Sequence, residues 1–193
     1  MATVRTGNRS VLLVVDFQVG VVKDAWDAPR IVANIARAVE RARAQGVPVL
    51  WVQHEDDDLP RGSPPWQFAP ELVPAADEFR VYKRYNSAFE ETPLEAELAR
   101  LGATHIVLAG AATNWCIRAA AYAALERGYD LTLVKDGHTA GAIDRGNGTR
   151  VEAEDMVDDL NLATTWLDYP GRKSQCAKAG EVVFAWCREL EIR

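Results

Sequence analysis

Apolar residues fall along this chain in short continuous runs separated by stretches of helical periodicity. Val11-Leu-Leu-Val-Val15 is apolar on both faces, as a central parallel strand requires, and Asp16 closes it. Ile31, Ile35, Val39 and Ala42 then recur at helical spacing after Asp27 and Pro29, which read as N-cap and early-helix residues. Gly46 and Pro48 stop that helix, and Val49-Leu-Trp-Val52 is a second strand, giving a right-handed βαβ unit. Phe79 to Tyr82 is a third strand, running into Lys83. Thr92-Pro-Leu-Glu95 reads as a capping box that opens a helix through Leu94, Leu98 and Leu101. His105 to Gly110 is a fourth strand, and Thr113 and Asn114 are N-cap residues for an Ala-rich helix ending at Gly128. Tyr129 to Val134 is a fifth strand, with His138 just past its end. Gly141 to Gly148 reads as a loop, Val151 to Leu162 as a helix, Ala163 to Trp166 as the last strand, Asp168 to Gly171 as a turn, and Ala179 to Leu190 as a terminal helix.

Strands alternating with helices predict a single-domain, doubly wound, mostly parallel α/β sheet of about six strands with helices on both faces. The expected domain spans 1–193, interrupted by a proline-rich insertion at 55–79 that carries five prolines and a run of acids, Glu55 to Asp58. An irregular stretch of that length in a compact domain is often functional. Trp66 and Phe68 within it either wall a pocket or anchor the loop on the core.

Composition narrows the function classes. Hydrophobic residues make up 48% and charged residues 26%, as in a globular chain, and the net charge is -6. An acidic balance argues against nucleic acid or an anionic membrane as partner. No apolar run is long enough to span a bilayer, and Met1 to Ser10 lacks an apolar export core. Cys116, Cys176 and Cys187 are odd in number and show no paired spacing, which suits free thiols in a reducing cytoplasm. Cys176 and Cys187 have no special context.

Cys116 does. It follows a sharp strand-to-helix turn and lies in the first helical turn, where the helix dipole and unpaired N–H groups favour thiolate and can hold an oxyanion. Asp16 and Lys83 end other strands on the same edge of the predicted sheet, so a carboxylate and an ammonium are available to take the thiol proton and keep the base ionised. His138 ends a strand on that edge too, and histidine is the commoner partner of a catalytic thiol. The residues alone leave both bases open.

Leu13-Val-Val-Asp-Phe-Gln18, Lys83 with Ser87 to Leu94, Gly110-Ala-Ala-Thr-Asn-Trp-Cys116, and Leu131 to Asp136 together resemble the isochorismatase-like cysteine hydrolases, a family that includes N-carbamoylsarcosine amidase, nicotinamidases and ureidoacrylate-type amidohydrolases. The resemblance implies Cys116 as nucleophile, Asp16 as general base and Lys83 as orienting cation. It also implies a cis peptide at Ala111–Ala112 that turns the Ala112 and Cys116 N–H groups toward one oxyanion. It implies a homo-oligomer, a dimer or tetramer.

Departures from the family pattern matter as well. Metal-dependent nicotinamidases carry an Asp-x-His after the second strand and a further His in the insertion. Here the first site reads Gln53-His-Glu-Asp56 and the insertion has no His, so no metal and no cofactor is expected. True isochorismatases lack the nucleophilic Cys.

The expected activity is cysteine-dependent hydrolysis of a carbon–nitrogen bond, amide or ureido, in a small molecule, through a thioester at Cys116. The candidate substrate-binding residues are Gln18, His54, Trp66, Phe68, Tyr85, Phe89 and Trp115. The alternatives are a catalytically idle binding or scaffold member of the fold, or an isochorismatase-type hydrolase of another bond.

Overall fold

The structure is a computed structural model and describes residues 5–184. Its strands are β1 (Arg9–Val15), β2 (Val49–His54), β3 (Phe79–Lys83), β4 (Ala103–Ala111), β5 (Asp130–Thr139), β6 (Ile143–Asp144), β7 (Arg150–Val151) and β8 (Ser174–Ala177). Its helices are α1 (Ala28–Ala44), α2 (Leu94–Arg100), α3 (Arg118–Glu126) and α4 (Ala153–Trp166). Six strands form one sheet in the order β3-β2-β1-β4-β5-β8, every neighbouring pair parallel. β6 and β7 form a separate antiparallel hairpin, with β6 inside the loop expected at 141–148 and β7 just after it.

Alternation along β1 divides the core. Val11, Leu13 and Val15 face Leu94 and Leu98 of α2, Ala120 and Ala124 of α3 and Leu160 of α4. Leu12 and Val14 face Ile31, Ile35 and Val39 of α1. Both faces of the sheet are therefore covered, which is why its central strands are apolar throughout.

The chain builds outward from β1 through β2 to β3, then returns to the other side of β1 for β4. That reversal makes a crevice at the carboxyl ends of β1 and β4, where open α/β sheets bind ligands. Close approach there depends on Gly110, whose φ is +133° and where an added Cβ would meet the Val15 carbonyl oxygen at 1.9 Å.

Several expectations are corrected. Ala163–Trp166 is not a strand but the last turn of α4, and Met156, Val157, Leu160 and Thr164 are buried at continuous helical spacing. The sixth strand is instead Ser174–Ala177, a half-buried edge strand without the apolar run that would have marked it. β5 does not end before His138: its pairing with β4 lapses after Leu133 and resumes as Gly110↔His138 and Ala111↔Thr139. Residues 179–184 are turn and coil rather than helix, and the rest of the expected terminal helix, with Cys187, lies outside the described residues.

Three expected caps are absent too. Asp27 sits at φ 49° and pairs with Arg30 instead of capping α1. Glu95 pairs with Arg5 and Arg127 rather than closing a capping box, although the Thr92 hydroxyl does accept the Leu94 N–H at 3.3 Å. Thr113 makes no cap on its own turn.

The insertion is packed down. Leu59, Trp66, Ala69 and Leu72 are buried, and Trp66 stacks on Tyr82 with centroids 5.8 Å apart. Phe68 meets the edge of Trp51 at 5.1 Å. These two aromatic rings act as anchors for the loop.

Candidate active site

Asp16, Lys83 and Cys116 come together at the crevice. Asp16 ends β1 at φ 49°, a left-handed conformation that Asp tolerates better than most residues and that clusters at functional positions. Lys83 is the last residue of β3, with its side chain fully buried. Cys116 sits in a π-helical turn, Thr113–Ile117, between β4 and α3.

The Lys83 Nζ lies 2.6 Å from Asp16 Oδ2 and donates to Cys116 Sγ at 3.3 Å and to the Tyr85 carbonyl at 3.0 Å. A fourth neighbour, His54 Nδ1, is at 3.3 Å, while His54 Nε2 lies 3.1 Å from Asp56 Oδ2. His54 thus sits behind the ammonium, bridging it to the insertion. The Asp16 carboxylate faces the Lys83 ammonium and the Cys116 side chain, while its backbone N–H donates to the Val52 carbonyl at 2.9 Å.

The electrostatics correct one expectation. Burial, and then the neighbouring Asp16 carboxylate, push the Cys116 thiol up to about 12 against the opposing pull of Lys83, so the sulfur rests as a thiol and not a thiolate. Burial also raises Asp16 above the ordinary carboxylate range, opposed by Lys83. A carboxylate so raised is a stronger base, and the Cys116 side chain is among its neighbours.

The peptide between Ala111 and Ala112 is cis, at the bond the sequence resemblance pointed to. The turn that carries Cys116 also carries Asn114 and Trp115. With Asn86, Arg118, Ala119 and Tyr122 these line an open groove of about 360 Å³.

The two buried histidines stand apart from the thiol. His105 Nδ1 lies 2.7 Å from the Ser10 hydroxyl and its Nε2 2.8 Å from that of Thr132. His138 has Thr113 Oγ1 at 2.9 Å and Asn161 Oδ1 at 3.1 Å on its two ring nitrogens. Both ring nitrogens are thus taken up away from the sulfur, so the Cys–His arrangement the sequence left open is not the one formed.

Burial lowers His105 to about 3 and His138 to about 4, from 6.5. A depressed folded value means that the unfolded chain takes up protons first as pH falls. Their contribution to stability is therefore full above 6.5 and lost as pH falls toward about 4 for His138 and about 3 for His105. The unfolding free energy from urea titration is expected to drop between about pH 7 and about pH 4.5, by on the order of 2 kcal/mol per histidine.

A match to the isochorismatase domain model covers residues 10–151, more than half of the chain. The chain belongs to the isochorismatase family. Among relatives of this isochorismatase-family chain, a streptothricin hydrolase from Streptomyces noursei is 33% identical over 135 residues, 66% of this chain and 53% of the relative. The chain therefore spans about half the length of that protein. A maleamate amidohydrolase from Pseudomonas putida is 29% identical over 187 residues, covering 80% of this chain and 88% of the relative. In fold, an isochorismatase structure from Pseudomonas putida KT2440 superposes with a TM-score of 0.79 at 24% identity, over 89% of this chain and 88% of that one. Among the described residues no helix is long and apolar enough to cross a membrane.

Of the residues put forward for substrate contact, Trp115 and Tyr85 are exposed, Trp115 at the groove. Others are occupied elsewhere in this isochorismatase-family fold. The Gln18 amide donates to the carbonyls of His54 and Trp66 and accepts the His54 N–H, tying β1, β2 and the insertion together. Phe89 is buried against Tyr129 in the core and carries Arg127 over its ring. Trp66 and Phe68 anchor the insertion, as above. The Tyr85 carbonyl that holds Lys83 has no signal in the sequence. The Thr113–His138 pair has no signal in it either.

Proposed function

We propose that this chain is a cysteine amidohydrolase that cleaves an amide or ureido carbon–nitrogen bond in a small molecule. The observation that carries the proposal is a single buried ammonium, Lys83 Nζ, within 2.6 Å of Asp16 Oδ2 and 3.3 Å of Cys116 Sγ. In this reading Asp16 takes the Cys116 proton as the sulfur attacks the carbonyl carbon. The Ala112 and Cys116 N–H groups hold the resulting oxyanion. The amine leaves with the proton from Asp16, and a water, deprotonated by Asp16, opens the thioester to release the acid. Lys83 keeps Asp16 ionised between steps.

The relatives named as amidohydrolase and hydrolase support this class of bond. A catalytically idle binding member of the fold is the competing reading. A panel of small amides and ureides that includes maleamate, read out as ammonia release, separates the two. Turnover is expected for at least one member, with an acid limb above the ordinary carboxylate range because Asp16 must be ionised and burial raises it. Activity that stays flat down to the ordinary carboxylate range would remove Asp16 from the mechanism. No release from any member would favour the idle reading.

A further inference from the structure

An ammonium carries three N–H bonds and no acceptor. Four atoms with lone pairs stand around Lys83 Nζ: Asp16 Oδ2 at 2.6 Å, the Tyr85 carbonyl oxygen at 3.0 Å, and His54 Nδ1 and Cys116 Sγ, both at 3.3 Å. Three donors cannot serve four acceptors in full, so what one neighbour takes another loses. The charged carboxylate and the carbonyl lie closest, and the histidine and the sulfur divide the remainder.

The His54 ring is held ready for its share. Nδ1 faces an ammonium, which has only protons to offer, so Nδ1 carries none and accepts. The ring proton is then on Nε2, which donates to Asp56 Oδ2 at 3.1 Å. Asp56 is itself fixed, because its Oδ1 accepts the Asp58 N–H at 3.0 Å and the Leu59 N–H at 2.7 Å. Turning the ring over would set C–H groups against both the ammonium and the carboxylate. The two neighbours therefore select the same tautomer and the same ring orientation.

We infer that His54 is a positioning residue that restrains the nucleophile: by accepting a Lys83 N–H it draws the ammonium away from Cys116 Sγ, leaving the sulfur anion less stabilised than Lys83 alone would make it. Asp56 acts one step further back by holding the ring. This deepens the reading of Cys116 as nucleophile and rests on it. The raised Cys116 thiol fits, since burial and Asp16 there outweigh the pull of Lys83.

The test is alkylation of Cys116 by iodoacetamide near neutral pH, read by peptide mass spectrometry with Cys176 as internal reference. The sulfur bonds to the methylene carbon, iodide leaves with the bonding pair, and the thiol proton passes to Asp16. His54→Leu fills the space without an acceptor and is expected to speed Cys116 alkylation about fivefold, the scale of a partial hydrogen bond to a charged group. A merely structural role for His54 predicts slowing instead. His54→Asn offers an amide oxygen in place of Nδ1 and should return the rate to within about twofold of the parent. In a Lys83→Met background His54→Leu should change the rate by less than about twofold, because it acts through the ammonium.

A slower or unchanged rate in His54→Leu overturns the inference. So does an equal gain in His54→Leu and His54→Asn, which traces the gain to space opened beside the sulfur, and so does a gain that persists without Lys83. If His54→Leu does not fold, His54→Met removes the same acceptor and is read the same way. The nucleophile reading is tested apart with p-nitrophenyl acetate: the sulfur bonds to the acetyl carbon, the thiol proton passes to Asp16, and nitrophenolate leaves with the bonding pair. A nitrophenolate burst that survives Cys116→Ala, or is missing from the parent protein, defeats that reading. A burst lost in Cys116→Ala, with alkylation indifferent to His54, defeats this inference alone.

Discussion

Cys116→Ala is expected to lower turnover of any amide the protein hydrolyses by roughly 10⁶-fold, as removing the nucleophile does in a cooperating triad. The fold should tolerate the change. Cys116 is a small, mostly buried residue, and the Asp16–Lys83 ion pair beside it, at 2.6 Å, does not use the sulfur. The stability cost is therefore on the order of 1 kcal/mol, within the range of a modest core truncation. Cys116→Ser keeps the shape but replaces the sulfur by a far weaker acid, and the loss should be nearly as large. Steady-state kinetics beside a thermal melt separates lost chemistry from lost structure, and retained turnover in either variant would remove the covalent route.

Asp16→Asn is the second large effect and differs in kind. Asn is nearly isosteric and tolerates the φ of 49° at this position, so the backbone should hold. The base is gone, and turnover should fall by about 10³- to 10⁴-fold. Stability should fall as well, by roughly 3 kcal/mol, because the buried Lys83 ammonium is left without its counter-charge. Adding Lys83→Met removes that charge and should restore much of the stability without restoring activity. Chemical denaturation of the single and double variants checks the pairing. Equal stability of Asp16→Asn and the parent would show that the pair does not behave as a buried ion pair.

How much was legible in the sequence depends on how local the signal was. The central strands were readable because burial on both faces leaves apolar runs, as in Val11–Val15 and Ile106–Ala109. Asp16, Lys83 and Cys116 were readable because each directly follows or ends such a run, and parallel order brings those ends to one edge. β8 was not, since Ser-Gln-Cys-Ala at an edge carries no apolar signature. The helix dipole alone points to a thiolate, but the Cys116 thiol is raised. Burial beside a carboxylate outweighs that dipole, and burial depends on contacts far apart in sequence.

Long-range contacts also decide where the cap-like and aromatic residues go. Thr113, Asp27 and Glu95 all look like caps, but each finds a stronger or better-placed partner in His138, Arg30 and the Arg5–Arg127 pair. Aromatic residues in the insertion look equally suited to a pocket or a core, and only their packing on Trp51 and Tyr82 decides.

The most direct measurement is to quench the protein in acid during reaction with p-nitrophenyl acetate and locate the acetyl group by peptide mass spectrometry. A thioester is expected on the peptide containing Cys116, formed with the nitrophenolate burst and absent from Cys116→Ala. Nitrophenolate release without that adduct, or an adduct at Cys176 or Cys187 instead, would contradict it.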